Sequence, residues 1–410
     1  MTYLEVVHEL EQLGIMPLGM PALASFRRAL ERTGFAYGID PGKNIIIAGT
    51  NGKGSTAATL SRLLLAAGQR VGLYTSPHLV TTRERIRLND EDVSENDFVF
   101  AYRALKKVIQ EEELTHFEAL TLIAAFIFFS GRTAPAVDWV IWEVGMGGLF
   151  DATNAIPHRY CVITKLGLDH TAILGTSLRE IAFQKFGIIG KNAVVVYSPM
   201  EPELSALRAE ASARTGCEWI AAKQVEAVSP NRVSTPWGDA ALSLCGARAA
   251  ENTGTALTLF EVMGFEPTPV LHALSRVRWP GRFSSFGTDR FPCPAYLSGD
   301  HNGQGVESLL QILEGFSWDI LHLVVGIGRD KDAGLMLKRL CGLPRMKLYL
   351  TETPFKPTRL EEYPSRFKKL AIAENVDSAQ LLSLIGKNAV SRDLIVVTGS
   401  LYLVGQILAQ

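Results

Sequence analysis

The chain has 410 residues, 47% hydrophobic and 20% charged, with 41 basic against 42 acidic side chains for a formal charge of −1. That length suits about two domains of roughly 100–200 residues each, and the composition excludes bulk disorder and a basic coat for nucleic acid. The five cysteines are widely spaced without a C-x-x-C pair, which excludes a disulfide scaffold and leads us to expect reduced, mostly buried thiols.

Residues 1–40 read as two short helices joined by the stretch Gly14 to Pro21 and lying over the edge of a sheet. The first of them carries Glu5, His8, Glu9 and Glu11, unlike a signal peptide. No apolar run reaches about 18 residues, and Ala119–Phe129 is only a core-length helix. A cytoplasmic protein without membrane or nucleic-acid partners is expected.

Asn44-Ile-Ile-Ile-Ala48 is a β-branched run of the kind used by a buried parallel strand. It ends in Gly49-Thr-Asn-Gly-Lys-Gly54, and Thr56–Ala67 then has helical composition and spacing. Strand, glycine turn, helix suits a phosphate: backbone N–H groups approach its oxygens, the helix start adds a positive dipole end and Lys53 a full charge. The bland alternative is a glycine-rich turn with a solvated lysine.

Arg70–Tyr74 is a second strand, after which Ser76 is either a turn hydroxyl before Pro77 or a group near a nucleotide's metal. Asn96–Leu114 is an amphipathic helix. Thr115 then caps the apolar helix Ala119–Phe129, with Glu118 at the capping-box position. The strand Asp138–Val144 carries Glu143 above Gly145-Met-Gly-Gly148, and such a carboxylate suits a hard cation such as Mg²⁺. The strand Tyr160–Thr164 leads to Asp169-His170, at the same strand-end level as Ser76 and Glu143.

Ser177–Ile189 is helical, with Lys185 among Ile181, Ala182, Phe186 and Ile188. Such a lysine either snorkels to solvent or is held neutral, as a base or as a carbamate formed with carbon dioxide. Ala193–Tyr197 is a further strand, and residues up to about 245 read as a polar, irregular region over the sheet. Asn252 lies inside the helix Gly246–Met263, where it is either exposed or binds a base or ribose.

The turn-rich stretch from Arg276 to Pro294 is the expected boundary, giving a domain over 1–282, a linker over 283–294 and a domain over 295–410. In the second domain, strands at 295–298, 321–325, 347–350, 370–372 and 394–398 alternate with helices. The expected class is α/β throughout.

With these residues in view, the chain resembles the folylpolyglutamate synthase and dihydrofolate synthase family, within the wider Mur-type ATP-dependent amide ligases. The resemblance rests on Gly49-Thr-Asn-Gly-Lys-Gly-Ser55, Tyr74-Thr-Ser-Pro-His-Leu79, Glu84-Arg-Ile86, Glu143-Val-Gly-Met-Gly-Gly148 with Asp151-Ala-Thr-Asn154, and Leu168-Asp-His-Thr171. Trp279-Pro-Gly-Arg282, Asp330-Lys-Asp332 and Thr398-Gly-Ser-Leu-Tyr402 carry it through the rest of the chain.

The family implies a P-loop ATPase domain with a mostly parallel sheet, a smaller Rossmann-like domain, and ATP between them. It implies that Thr50, Asn51, Gly52 and Lys53 hold the phosphates, that Asn252, Arg282 and Ser298 belong to the ATP site, and that Ser76, Glu143 and His170 ligate magnesium. Lys185 matches a carboxylated lysine serving a second magnesium ion. Thr115, His116, Phe117 and Glu118, with Phe150, Asp151 and Ala152, match a pterin pocket in which Phe117 stacks on the ring. His301 falls near the γ-phosphate or the incoming amine.

The implied reaction activates a carboxylate as an acyl phosphate, which the amine of L-glutamate attacks; the acid is dihydropteroate, a reduced folate or both, and the protein a monomer. Four departures stand out: Ser298 in place of the family's aspartate, with Asp300 two residues on; Arg248-Ala249 in place of His-Gln; Leu149 in place of arginine; and Gln184 in place of glutamate. They motivate two alternatives, a Mur-type ligase for a different acid and amino acid, and a non-catalytic nucleotide-binding paralogue.

Overall fold

The computed structural model describes residues 1–14, 23–133, 136–287 and 289–410. The expected junction from Gly14 to Pro21 therefore lies, beyond Gly14, outside the described residues. Two compact units emerge, one of Met1–Val225, Thr235–Ala240 and Glu251–Val277, the other of Glu226–Ser234, Ala241–Ala250 and Arg278–Gln410.

The first unit has eight strands, the central ones β-branched and aromatic runs: β1 (Asn44–Ala48), β2 (Val71–Tyr74), β3 (Ile86–Leu88), β4 (Glu91–Asp92), β5 (Trp139–Glu143), β6 (Tyr160–Ile163), β7 (Val194–Tyr197) and β8 (Glu218–Ala221). Their order is β4-β3-β2-β5-β1-β6-β7-β8. From β2 to β8 every pairing is parallel; β3 and β4 are antiparallel additions beside β2.

Parallel strands are covered on both faces, and β1 is buried at all five positions. Ile45, Ile46 and Ile47 are 0% exposed, each burial worth about 1.5–3 kcal/mol. The one polar side chain of β1, Asn44, is satisfied by the Trp142 indole N–H at 3.0 Å. The helix His116–Phe129 is apolar nearly all round, as a helix between layers must be. Glu95–Glu111 has a clear apolar face and packs outside it.

Two expectations need correction. The stretch up to 245 is not irregular: it holds the helix Ser205–Thr215, β8 extending the sheet, and the short strands β9 (Glu226–Ser229), β10 (Arg232–Thr235) and β11 (Gly238–Ala241). Their polar, largely exposed residues lack the apolar alternation by which a strand is read. The thiols are all free, but only Cys161 and Cys293 are buried; Cys217, Cys245 and Cys341 are half-buried.

The second unit has its own sheet: β12 (Arg282–Ser285), β13 (Ala295–Ser298), β14 (Leu321–Val325), β15 (Met346–Leu350), β16 (Ala371–Glu374) and β17 (Leu394–Thr398), in the order β12-β13-β17-β14-β15-β16. All pairings are parallel except β12 with β13. β12 thus occupies the start of the stretch read from sequence as a connection. At the far margin β16 pairs with β15 across a register slip at Leu348/Tyr349.

A buried polar group sits inside this sheet. His322, 1% exposed, lies 3.1 Å from the Tyr349 hydroxyl and 3.3 Å from Asp393 Oδ2. The fold is thus the expected α/β pair, a larger mostly parallel sheet and a smaller α/β unit. Among the described residues, no helix is long and apolar enough to cross a membrane.

Candidate functional site

Because β1, β2, β5 and β6 run parallel, the segments leaving their carboxyl ends gather at one edge of the sheet, where open α/β sheets bind ligands. The loop after β1 is tied down first. Thr50 N–H and Asn51 N–H donate to the Lys165 carbonyl at 3.0 and 3.2 Å, and the Thr50 hydroxyl donates to the Gly167 carbonyl at 2.9 Å. Gly52 has φ +92°, and a Cβ there would collide with Asn252 Oδ1. A Cβ on Gly49, at φ +155°, would likewise collide with the Thr164 hydroxyl. Both positions require glycine.

The helix after this loop starts at Lys53, three residues before the expected Thr56. Lys53 Nζ donates to the Gly49 carbonyl at 3.1 Å and to the Thr50 carbonyl at 3.4 Å. Lys185 is in the last turn of its helix, Leu178–Phe186, not in the middle, and is 4% exposed. Its Nζ also donates to the Gly49 carbonyl, at 2.9 Å. Burial, and next the charge of Lys53, push the Lys185 ammonium down to about 7, although Asp169 and Asp151 oppose the shift.

Asn252 is 3% exposed, so the exposed reading of this residue fails. Its Oδ1 is buried without a hydrogen-bond partner against Gly52. A buried acceptor left open beside a glycine turn fits a ligand with N–H or O–H donors, as a nucleotide has.

Glu143 is 4% exposed at the end of β5, and its Oε2 accepts the Ser76 N–H at 3.0 Å. His170 is exposed, in the left-handed region at φ 51°, and opens the short helix Thr171–Leu174. Among the described residues no three His, Cys, Asp or Glu side chains converge on a common point. Hydroxyl, carboxylate and imidazole donors of this kind fit a hard divalent ion that completes its shell with water and phosphate oxygens.

Of the residues matched to a pterin pocket, Thr115 and Glu118 form a full capping box: Glu118 Oε2 accepts the Thr115 N–H at 2.9 Å and its hydroxyl at 2.8 Å. Phe117 lies 5.9 Å, centroid to centroid, from Tyr74 and against Gly145, where a Cβ would meet its ring at 2.7 Å. Asp151 holds the turn after β5, accepting the N–H groups of Gly145, Met146 and Thr153 at 2.9–3.1 Å. Ala152 is buried and begins a short turn, while Phe150 is 49% exposed.

Sequence reasoning gave no role to Arg85 and His78. Arg85 Nε donates to His78 Nδ1 at 2.9 Å. Burial, reinforced by the Arg85 charge, pushes His78 down to about 3 and His116 to about 4. The signal was in the sequence, since both residues fall within motifs already singled out.

The remaining candidates lie in the second unit. Arg282 on β12 pairs directly with Ser298 on β13. The Ser298 hydroxyl donates to Asp300 Oδ2 at 2.5 Å. Burial pushes the Asp300 carboxyl up, against the pull of Ser298, Arg282 and Arg248. Arg248 Nη2 donates to the Gln304 carbonyl at 3.1 Å, while its Nε and Nη1 are buried without an acceptor. His301 Nδ1 lies 2.8 Å from the Gly299 carbonyl oxygen.

No family model matches the chain. It is 30% identical over 388 residues to the folylpolyglutamate synthase of Lacticaseibacillus casei, with 88% of each chain covered. It is also 30% identical over 420 residues to a probable bifunctional folylpolyglutamate synthase/dihydropteroate synthase of Haloferax volcanii, where 94% of this chain spans only 48% of the relative. Among solved structures it superposes on a bifunctional folylpolyglutamate synthase/dihydrofolate synthase with Mn, AMPPNP and L-glutamate bound, at TM-score 0.84 and 26% identity, covering 100% of this chain and 98% of the other.

Proposed function

Given that the chain belongs to the folylpolyglutamate synthase/dihydrofolate synthase family, we propose that it is an ATP-dependent ligase forming an amide between L-glutamate and dihydropteroate, a reduced folate, or both. The observation that carries the reading is the loop 49–52: two glycines without room for a Cβ, two lysine amines on one carbonyl, and the buried open acceptor of Asn252.

A carboxylate resists attack by an amine, so the reaction passes through an acyl phosphate made with the γ-phosphoryl group of ATP. Phosphoryl transfer needs mostly positioning and charge neutralisation. In this reading Thr50, Asn51 and Gly52 cradle the phosphates through backbone N–H groups, Lys53 swings from the Gly49 carbonyl onto their oxygens, and Asn252 receives a donor of the nucleotide. Arg282 and Ser298 serve the nucleotide as well, with His301 near the γ-phosphate or the incoming amine.

Ser76, Glu143 and His170 would hold one magnesium ion, which neutralises charge on the transferring group when bound. A carbamate on Lys185, formed by its neutral amine, would supply oxygens to a second. Thr115 to Glu118 and Phe150 to Ala152 would line the pterin, with Phe117 toward the ring. The reaction then takes place in the cytoplasm on a monomer.

Incorporation of labelled glutamate, with ATP, magnesium and either dihydropteroate or tetrahydrofolate, tests the proposal. Amide product with release of ADP and phosphate is expected with at least one acid. Incorporation with neither, in a protein that binds ATP, would overturn it in favour of a ligase for a different acid or a non-catalytic nucleotide-binding paralogue.

A further inference from the structure

Two motif segments, Tyr74–Leu79 and Glu84–Ile86, are only partly used by the reading above. They are joined as a rigid device. Glu84 accepts three successive backbone N–H groups, those of Leu79, Val80 and Thr81, at 2.7–2.8 Å. The Arg85 carbonyl accepts the Thr75 N–H at 2.9 Å, and Ile86 pairs with Tyr74 across β2 and β3. His78, in the loop that leaves β2, and Arg85, at the end of the short 3-10 turn Thr82–Arg85 that leads into β3, are therefore presented from the two ends of a clamped connection.

Their contact fixes the chemistry they display. Arg85 Nε–H can only donate, so His78 Nδ1, 2.9 Å away, must offer its lone pair, and the neutral ring carries its proton on Nε2. The pair then consists of a guanidinium and an imidazole N–H, all donors with one positive charge. Such a surface matches a carboxylate, which has only acceptors and which guanidinium nitrogens can grip in parallel.

The surroundings say whose carboxylate. Tyr74 lies against Phe117, has Thr121 Oγ1 3.1 Å from its hydroxyl, and feels the charges of Arg85, Asp151 and Glu143. The Arg85 charge also reaches His116, which precedes Phe117. The cationic pair thus shares a neighbourhood with the aromatic wall and with the Glu143 carboxylate.

We infer that Arg85 is a binding residue for a carboxylate of the acid substrate and that His78 is the positioning residue that aims it. This rests on the ligase reading given above, and extends it by naming the group that recognises the acid before it is activated.

The test compares binding of 7,8-dihydropteroate with that of its analogue carrying aniline in place of p-aminobenzoate, the same ring system without the carboxylate. Binding is followed by fluorescence in the full-length protein with ADP and magnesium present. Hydrogen bonds to charged groups discriminate by about tenfold or more, so the wild type should prefer the acid by at least about that factor.

Arg85→Gln should bring the two affinities together by weakening the acid alone. His78→Leu should narrow the ratio by less, and His78→Asn, whose Oδ1 replaces the Nδ1 acceptor, should restore it. The ratio is read within each variant, so a partly unfolded preparation does not mimic the effect. Equal weakening of both ligands in Arg85→Gln, or an unchanged ratio, would overturn the assignment and leave the ligase reading standing. A wild-type protein that binds neither ligand would overturn the assignment, and one that in addition incorporates no glutamate with tetrahydrofolate would overturn the ligase reading as well.

Discussion

Lys53 and Lys185 donate to one acceptor, the carbonyl oxygen of Gly49, at 3.1 and 2.9 Å. Two ammonium groups cannot share an oxygen in a buried site without cost, and Lys185, the more enclosed, is the one driven toward neutrality. Only a neutral amine attacks carbon dioxide, so the charge of Lys53 beside it favours the carbamate proposed above for Lys185.

Replacing Lys53 with methionine removes the second-largest cause of that depression, after burial. The ammonium of Lys185 should then persist to higher pH. The carbamate signal in ¹³C-bicarbonate NMR of the Lys53→Met protein should be weaker than in wild type at pH 7 and approach it at pH 9. An equal signal at both values would refute the coupling.

Lys185 also makes stability depend on pH in a definite sense. Its amine has a folded value of about 7 against roughly 10.4 in an unfolded chain. Between those values the unfolded state holds a proton that the folded state lacks, so stability rises with pH across this window. Below it the folded chain carries a buried charge. In bicarbonate-free buffer, Lys185→Met should raise the melting temperature by several degrees at pH 6.5, and the gain should shrink toward pH 10. A constant difference would contradict the account.

Gly52→Ala combines two penalties, a left-handed backbone at φ +92° and contact with Asn252 Oδ1. The backbone strain alone costs about 1–2 kcal/mol. Urea unfolding should show at least that loss, and ATP affinity should fall. Adding Asn252→Ala should recover part of the stability, because only the contact is relieved, and none of the affinity. Full recovery of both would mean that neither the backbone nor Asn252 matters as described.

Asp393 accepts the N–H groups of Ile320 and Val390 at 3.1 and 3.0 Å and lies beside His322 Nε2. Asp393→Ala leaves these part-buried donors open, at a cost of roughly 1–3 kcal/mol. Burial, opposed by Asp393, holds His322 below its ordinary value, so the unfolded chain binds its proton first as pH falls below about 6.5. The wild type should therefore lose stability from that pH downward by chemical denaturation, and His322→Gln should flatten the slope in this range. A slope unaltered by His322→Gln would exclude this histidine as its source.

The central strands and the glycine turn were legible because residue type and spacing carry them: β1 is three isoleucines before Gly49. The hub of the site was not, because it is a backbone carbonyl, which every residue possesses. Asp151 was legible as a motif member, yet its grip on Gly145, Met146 and Thr153 depends on a turn that no periodicity encodes. The β3–β4 hairpin has strands of three and two residues, too short for a pattern. Its signal was Asn89-Asp90, both at positive φ, the turn chemistry that such hairpins require.

β16 is the outermost strand of the second sheet, only four residues long, and it meets β15 across a slip in register. Ile372 is 59% exposed there, a side chain that would invite another chain to add on. The broken register and the Lys368–Glu374 pair, 3.9 Å apart, deny an incoming strand a straight, uncharged template. This margin is thereby guarded against fibrillar growth at high concentration, a protection that a longer or straighter β16 would forfeit.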